Sequence, residues 1–333
     1  MYDRSYSYLG CLRELSREIA VKLTARLNTA TVSASVAAIR ATDRVSPRLA
    51  GRVALPLFRQ VRPALPVRPA DRAVHLSGER GTVTVRGREI ATYAWGHGAE
   101  TVLLVHGWRG RASQFGPIVR ELRAEGFRVV AFDAPANGAS RGRHTDIRDY
   151  LAAIDELQRQ HGMFRIVVGH SFGALAALTA VREGLTTGGV VTIAGMADAR
   201  YLVDSFAARV GMRAASADAL GRRFAARVLP EEPDFFGRFD AVADPLPSDV
   251  PLLVVHDRGD REVAVSESLR LHAAHGERSC LVLTEGAGHS RVLGADPTLD
   301  AVTAFAVGGL AGLDAAGLEL GVGQDPIAAA SGR

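Results

Sequence analysis

The chain has very little cysteine and almost no lysine. Among 333 residues only Cys11 and Cys280 are cysteines, and only Lys22 is a lysine. Two thiols so far apart, neither in a metal-ligand spacing, exclude a disulfide framework and lead to the expectation of reduced thiols in a cytoplasmic protein. The lysine deficit accompanies an excess of Arg, Ala and Gly, which reads as compositional bias, not chemistry. No charge-free apolar run approaches the roughly 20 residues that span a bilayer. The start, Met1-Tyr2-Asp3-Arg4, lacks the charged-then-apolar build of a secretion signal. There is no dinucleotide fingerprint, no Walker loop and no metal-ligating cluster, so neither a cofactor nor a metal is expected.

What is present is a 47% hydrophobic chain, long enough for one large α/β domain with extensions. Its charge is uneven. Residues 1–72 carry 13 Arg/Lys against 5 Asp/Glu, whereas the remainder carries 27 against 31. The basic character therefore belongs to the amino-terminal segment. The main body is mildly acidic and has no basic, aromatic-interleaved stretch, which argues against nucleic-acid binding.

The most informative stretch is Gly169-His170-Ser171-Phe172-Gly173. An apolar run, Arg165-Ile166-Val167-Val168, precedes it and a helix-forming run, Ala174 to Arg182, follows. The pattern is strand, sharp turn, helix, with serine at the apex and glycines where side chains would clash. Four further strands end in polar loops. Thr101–Val105 leads to His106-Gly107-Trp108, and Phe127–Phe132 leads to Asp133-Ala134-Pro135-Ala136-Asn137-Gly138. Pro251–Val255 runs into His256-Asp257-Arg258-Gly259-Asp260, and Cys280–Leu283 leads to Gly286-Ala287-Gly288-His289. Strands alternating with helical patterns predict a mostly parallel sheet flanked by helices, with the ligand site beyond the carboxyl ends of the strands.

These five ordered motifs resemble the α/β-hydrolase superfamily over roughly residues 80–308, and within it the bacterial serine hydrolases (esterase/lipase-like) with short helical lids. The resemblance implies Ser171 as nucleophile, in the chain order Ser, Asp, His. It implies His289 as base, since the family carries its base in the loop after the last strand; His144 is the other candidate. For the orienting acid, the family pattern favours Asp260, framed by His256 and Val263, over Asp257, which occupies a position usually held by glycine. The backbone amides of Phe172 and Trp108 are the expected oxyanion donors, and Gly169, His170 and Gly173 complete the nucleophile turn. His106 and His170 are read as braces for their loops. Asn137 departs from the pattern, since that loop usually carries a histidine there.

The expected organisation has three parts. Residues 1–72 form a basic helical extension and linker. Within it, 10–30 read as an amphipathic helix, and a second helix starts at Ser46-Pro47 and is bent or ended by Pro56. This extension either packs on the body or touches an anionic membrane or a partner. Residues 73–308 form the hydrolase domain, opened by a hairpin over 80–96 that turns at Arg86-Gly87. A lid insertion at about 196–248 carries Tyr201, Phe206, Phe224, Phe235, Phe236 and Phe239 as lid core or acyl-pocket wall. Residues 309–333 form a mobile tail.

The function this implies is cofactor-free cleavage of carboxylic esters, with an apolar acyl or aromatic group as substrate. The alternatives are a thioesterase or acyltransferase with the same triad, and a catalytically silent ligand-binding protein of this fold. The expected location is cytoplasmic, with the membrane surface as the alternative for the basic segment.

Overall fold

The computed structural model describes residues 30–317. They form two compact units: 61–201 with 231–317, and 30–60 with 202–230. The helix expected over 10–30 lies outside the described residues for all but its last position.

The larger unit is built on one eight-stranded sheet. Its strands are β1 (Glu79–Val85), β2 (Arg88–Trp95), β3 (Thr101–Val105), β4 (Arg128–Phe132), β5 (Phe164–His170), β6 (Val190–Ile193), β7 (Leu252–Asp257) and β8 (Ser279–Thr284), in the spatial order β1-β2-β4-β3-β5-β6-β7-β8. β1 and β2 form the antiparallel hairpin, turned where Arg86 and Gly87 both take positive φ, and β2 is antiparallel to β4. The other pairings are parallel. Every residue of β3, β6 and β7 is buried, whereas the first four of edge strand β1 are exposed. Continuous apolar runs such as Thr101–Val105 are what a strand covered on both faces requires.

The parallel order positions the site. From β3 the chain passes to β4 on one side and then returns to β5 on the other. β3 and β5 are neighbours, with Val105 opposite Gly169. Connections leave these strands in opposite directions, which opens a crevice beyond their carboxyl ends. His106-Gly107-Trp108 and the Ser171 turn both emerge there.

Among the described residues one helix, Asp296–Ala315, is long and apolar enough to cross a membrane by composition. In this fold it packs on β7, β8 and helix Gly116–Ala124, with Ala301, Val302, Phe305 and Ala306 in the core. The chain turns at Gly309, where φ is 63°, and continues as helix to Ala315 with Leu313 buried. The stretch 309–315, expected at the start of the tail, is therefore ordered by burial of Leu313. Residues 318–333 of that expected tail lie outside the described residues.

The smaller unit joins the amino-terminal segment to part of the insertion. Residues 30–45 and Pro47–Phe58 are helical, as are Ala214–Val228 and 202–210 of helix Arg200–Val210. Ser46 is extended and its hydroxyl accepts from the Leu49 amide, while Pro47 takes the first helical position. The helix runs two residues past Pro56. Helix Pro47–Phe58 packs on Ala214–Val228 so closely that a Cβ on Gly51 would lie 2.8 Å from the Leu220 nitrogen. Asp43 accepts from the Arg213 backbone and guanidinium, Arg40 donates to the Val210 carbonyl, and Phe58 sits edge-on to Phe206 and Phe224. The partner of the described amino-terminal helices within this unit is thus the insertion. Of the other insertion aromatics, Phe235 and Phe239 are buried in the larger unit, with Phe235 edge-on to Phe236 and Phe239.

Candidate active site

Ser171 stands between β5 and helix Phe172–Arg182 with φ 55° and ψ −121°. A non-glycine residue held at positive φ stores strain, and such strain concentrates at functional sites. The flanking glycines allow the turn. A Cβ on Gly169 would lie 2.5 Å from the Gly173 carbonyl oxygen, and one on Gly173 would lie 2.1 Å from that of Val105. The helix therefore starts directly against the end of β3. The loop after β3 is equally close, since a Cβ on Gly107 would lie 2.9 Å from the Ser171 Cβ. Phe172, the first helical residue, is buried, with its ring edge-on to Trp108 and Tyr150.

His289 is supplied by the loop after β8, as the sequence predicts. Its Nδ1 lies 2.8 Å from Asp260 Oδ2. A carboxylate only accepts, so Nδ1 bears a proton, which in the neutral ring is the tautomer that leaves the lone pair on Nε2. The Asp260 side chain is shielded from solvent. Its Oδ1 accepts from the amides of Glu262 (2.7 Å) and Val263 (3.1 Å). Burial pushes this carboxyl up. The hydrogen bonds from His256, His289 and the Glu262 amide outweigh it and hold the group well below the usual carboxylate range.

Asp257 does different work. Its Oδ1 accepts from Gly259 (2.9 Å), and its Oδ2 accepts from the Thr284 hydroxyl (2.8 Å) and the Ala287 amide (2.9 Å). It pins the end of β7 to the His289 loop. Burial raises its carboxyl, but the Gly288 amide and these bonds outweigh that effect and hold the group below its ordinary value.

Three histidines hold the loops. His170 Nε2–H donates to the His289 carbonyl at 2.9 Å, and the two rings lie 4.8 Å apart. This places the His289 loop one residue from Ser171. No hydrogen bond joins the Ser171 hydroxyl to the His289 ring. His106 Nδ1–H donates to the Gly107 carbonyl, and its Nε2 accepts from Ala134, which ties the loop after β3 to the loop after β4. Burial pushes this imidazole below its ordinary value.

His256 carries a role that the sequence reading left out. Fully buried on β7, it accepts from the Ser268 hydroxyl at Nδ1 (2.6 Å). It donates from Nε2 to the Val263 carbonyl (3.0 Å), with Asp260 Oδ2 at 3.4 Å. Its position four residues before Asp260 was the available signal. His144, the other candidate base, is exposed in the loop after β4, its carbonyl bonded to Arg88. Asn137 is buried, and its Nδ2 donates to the Pro135 carbonyl. Its Oδ1 has no partner among the described residues.

His170 yields a test. Burial, then the nearby His289, lower its ring from the ordinary value to about 3. The folded state thus resists a proton that the unfolded chain accepts at about 6.5. This contribution to stability is complete above about 6.5 and declines as pH falls towards the folded value, by up to about 1.4 kcal/mol per pH unit. Over that window, denaturant titrations of His170→Gln should show a pH slope shallower by one proton than wild type. An unchanged slope would mean that the buried ring is not the titrating group.

A parallel sheet behind an antiparallel pair, with a strained serine turn at its topological switch point, defines the class: a doubly covered α/β fold with its crevice at the strand ends. The chain belongs to the alpha/beta hydrolase family, whose profile matches residues 102–304. Solved structures agree on the fold. The Pyrococcus furiosus esterase Pf2001 is 20% identical with a TM-score of 0.53, covering 74% of this chain and 97% of its own. The esterase RhEst1 from Rhodococcus sp. ECU1013 is 19% identical with a TM-score of 0.50, covering 70% and 99%. The thioesterase domain from the curacin biosynthetic pathway is 17% identical with a TM-score of 0.50, covering 69% and 99%. No curated protein sequence matches significantly.

Proposed function

We propose that the protein is a serine hydrolase that cleaves carboxylic esters through an acyl-enzyme on Ser171. The observation that carries this reading is the hydrogen bond from His289 Nδ1 to Asp260, made in a loop tied beside the strained Ser171 turn. A serine hydroxyl is a weak nucleophile near neutral pH and needs a base. His289 takes its proton at Nε2 as the hydroxyl attacks the ester carbonyl. Asp260 holds the required tautomer and stabilises the imidazolium. The oxyanion is met by the Phe172 amide, at the amino terminus of an 11-residue helix, and by the Trp108 amide. The imidazolium then protonates the departing alcohol. Water, activated by the same ring, releases the acid and restores Ser171. The rings of Trp108 and Phe172 favour an apolar or aromatic acyl group.

A fluorophosphonate probe should label the protein, and para-nitrophenyl esters of increasing chain length should be hydrolysed faster than matched acyl thioesters. Folded protein that takes no label would overturn the assignment. A preference for thioesters would move the substrate class to thioesterase chemistry on the same residues.

A further inference from the structure

The smaller unit carries charge opposite to that of the larger. Its described residues, 30–60 and 202–230, contain ten arginines and three aspartates. One aspartate, Asp43, is already paired with Arg213. The described part of the larger unit, 61–201 with 231–317, holds 24 arginines against 28 acidic residues. The excess therefore concentrates on one small helical body.

Part of it converges. A depression in the surface of this unit is lined by Arg48 from one helix and by Ala219, Arg222, Arg223 and Ala226 from the helix packed against it. All three arginines are exposed, and among the described residues none has a hydrogen bond or ion pair. Three guanidinium groups around small alanines leave room for an anionic group and offer it bidentate donors. Next to Arg48 in sequence, Leu49 is 41% exposed, and Val45, just before the helix break at Ser46, is 78% exposed. Arg44 and Arg52 are exposed on either side of them.

We infer that this face docks on an anionic phospholipid surface, with a lipid phosphate seated among Arg48, Arg222 and Arg223, and with Val45 and Leu49 against the acyl boundary. Basic residues beside exposed aliphatic ones are the composition of a helix lying in the interface. A single-stranded nucleic acid would be held by aromatic platforms stacked on its bases. The phenylalanines of this unit, Phe58, Phe206 and Phe224, are engaged with one another.

The test is co-flotation of the full chain with equimolar phosphatidylcholine–phosphatidylglycerol vesicles and with pure phosphatidylcholine vesicles. Wild type should bind only the anionic vesicles and be released in about 1 M salt, where screening reaches only about 3 Å. Each arginine near the surface contributes roughly fivefold, so the triple variant Arg48→Gln/Arg222→Gln/Arg223→Gln should bind about a hundredfold more weakly. Its circular dichroism and para-nitrophenyl ester turnover should match wild type. Equal binding to both vesicle types, undiminished binding by the triple variant, or tighter binding to single-stranded RNA than to anionic vesicles would each overturn the inference.

Discussion

Ser171→Ala should reduce ester turnover by about four to six orders of magnitude while the protein stays folded. Loss of the attacking group in a triad collapses the function of the other two members, so the cost approaches that of losing all three. What remains comes from the oxyanion donors and substrate binding. The substitution is mild structurally, because the Ser171 hydroxyl makes no hydrogen bond among the described residues and alanine occupies the same turn. Alanine at φ 55° bears the same backbone strain as serine. Thermal unfolding should therefore stay close to that of wild type, and fluorophosphonate labelling should vanish with the activity. Near wild-type turnover in purified variant would remove Ser171 from the mechanism.

The second large effect separates two neighbouring carboxylates. Asp260→Asn should lower kcat by about four orders of magnitude, because an amide facing Nδ1 no longer selects the tautomer that leaves Nε2 as base and no longer stabilises the imidazolium. Asp257→Asn should cost far less turnover. Asp257 accepts from Thr284, Ala287 and Gly259, whereas the His289 ring is hydrogen-bonded to Asp260, so loss of the Asp257 charge should appear as lower stability of the loop after β8. Both carboxyls are held below their ordinary range. Their contribution to stability is present above the unfolded value of about 4 and is lost only as pH falls through the lower folded values. In Asp260→Asn and in Asp257→Asn that acid loss should shrink. The turnover measurement, taken near neutral pH, tells the two apart, and the reverse ranking would move the orienting role to Asp257.

Much of the site was legible in the chain because its determinants are local. The turn at Ser171 follows from an apolar strand, a small-residue pattern and a helix-forming run within about fifteen residues. The clashes a Cβ would meet at Gly169 and Gly173 are with near neighbours or with the adjacent strand. The choice of Asp260 over Asp257 rested on its spacing from His256 and Val263, and these two residues do meet it, as ring neighbour and as amide donor. That most of the sheet is parallel followed from alternation of strand and helix, which leaves few ways to cover both faces of a sheet.

Other features needed the folded chain. That the loops after β3 and β5 face each other depends on which side of β3 the strand β4 takes, and a strand's own residues do not carry that information. The bond from His170 to the His289 carbonyl spans 119 residues, and the pair Asp43–Arg213 spans 170. No periodicity in either segment marks its partner. The amphipathic face of Pro47–Phe58 shows that the helix must bury one side, and only packing shows that the insertion covers it. At Gly309 the sequence suggests an end, since glycine at positive φ breaks a helix locally, yet burial of Leu313 carries the chain on to Ala315. By itself the sequence determined the elements, the strained serine turn and the side chains available for chemistry, because these depend on neighbours along the chain. The tertiary structure alone decided which distant residues brace the backbone of the His289 loop and which helices share a unit, because those depend on burial and close packing between segments with no sequence relation.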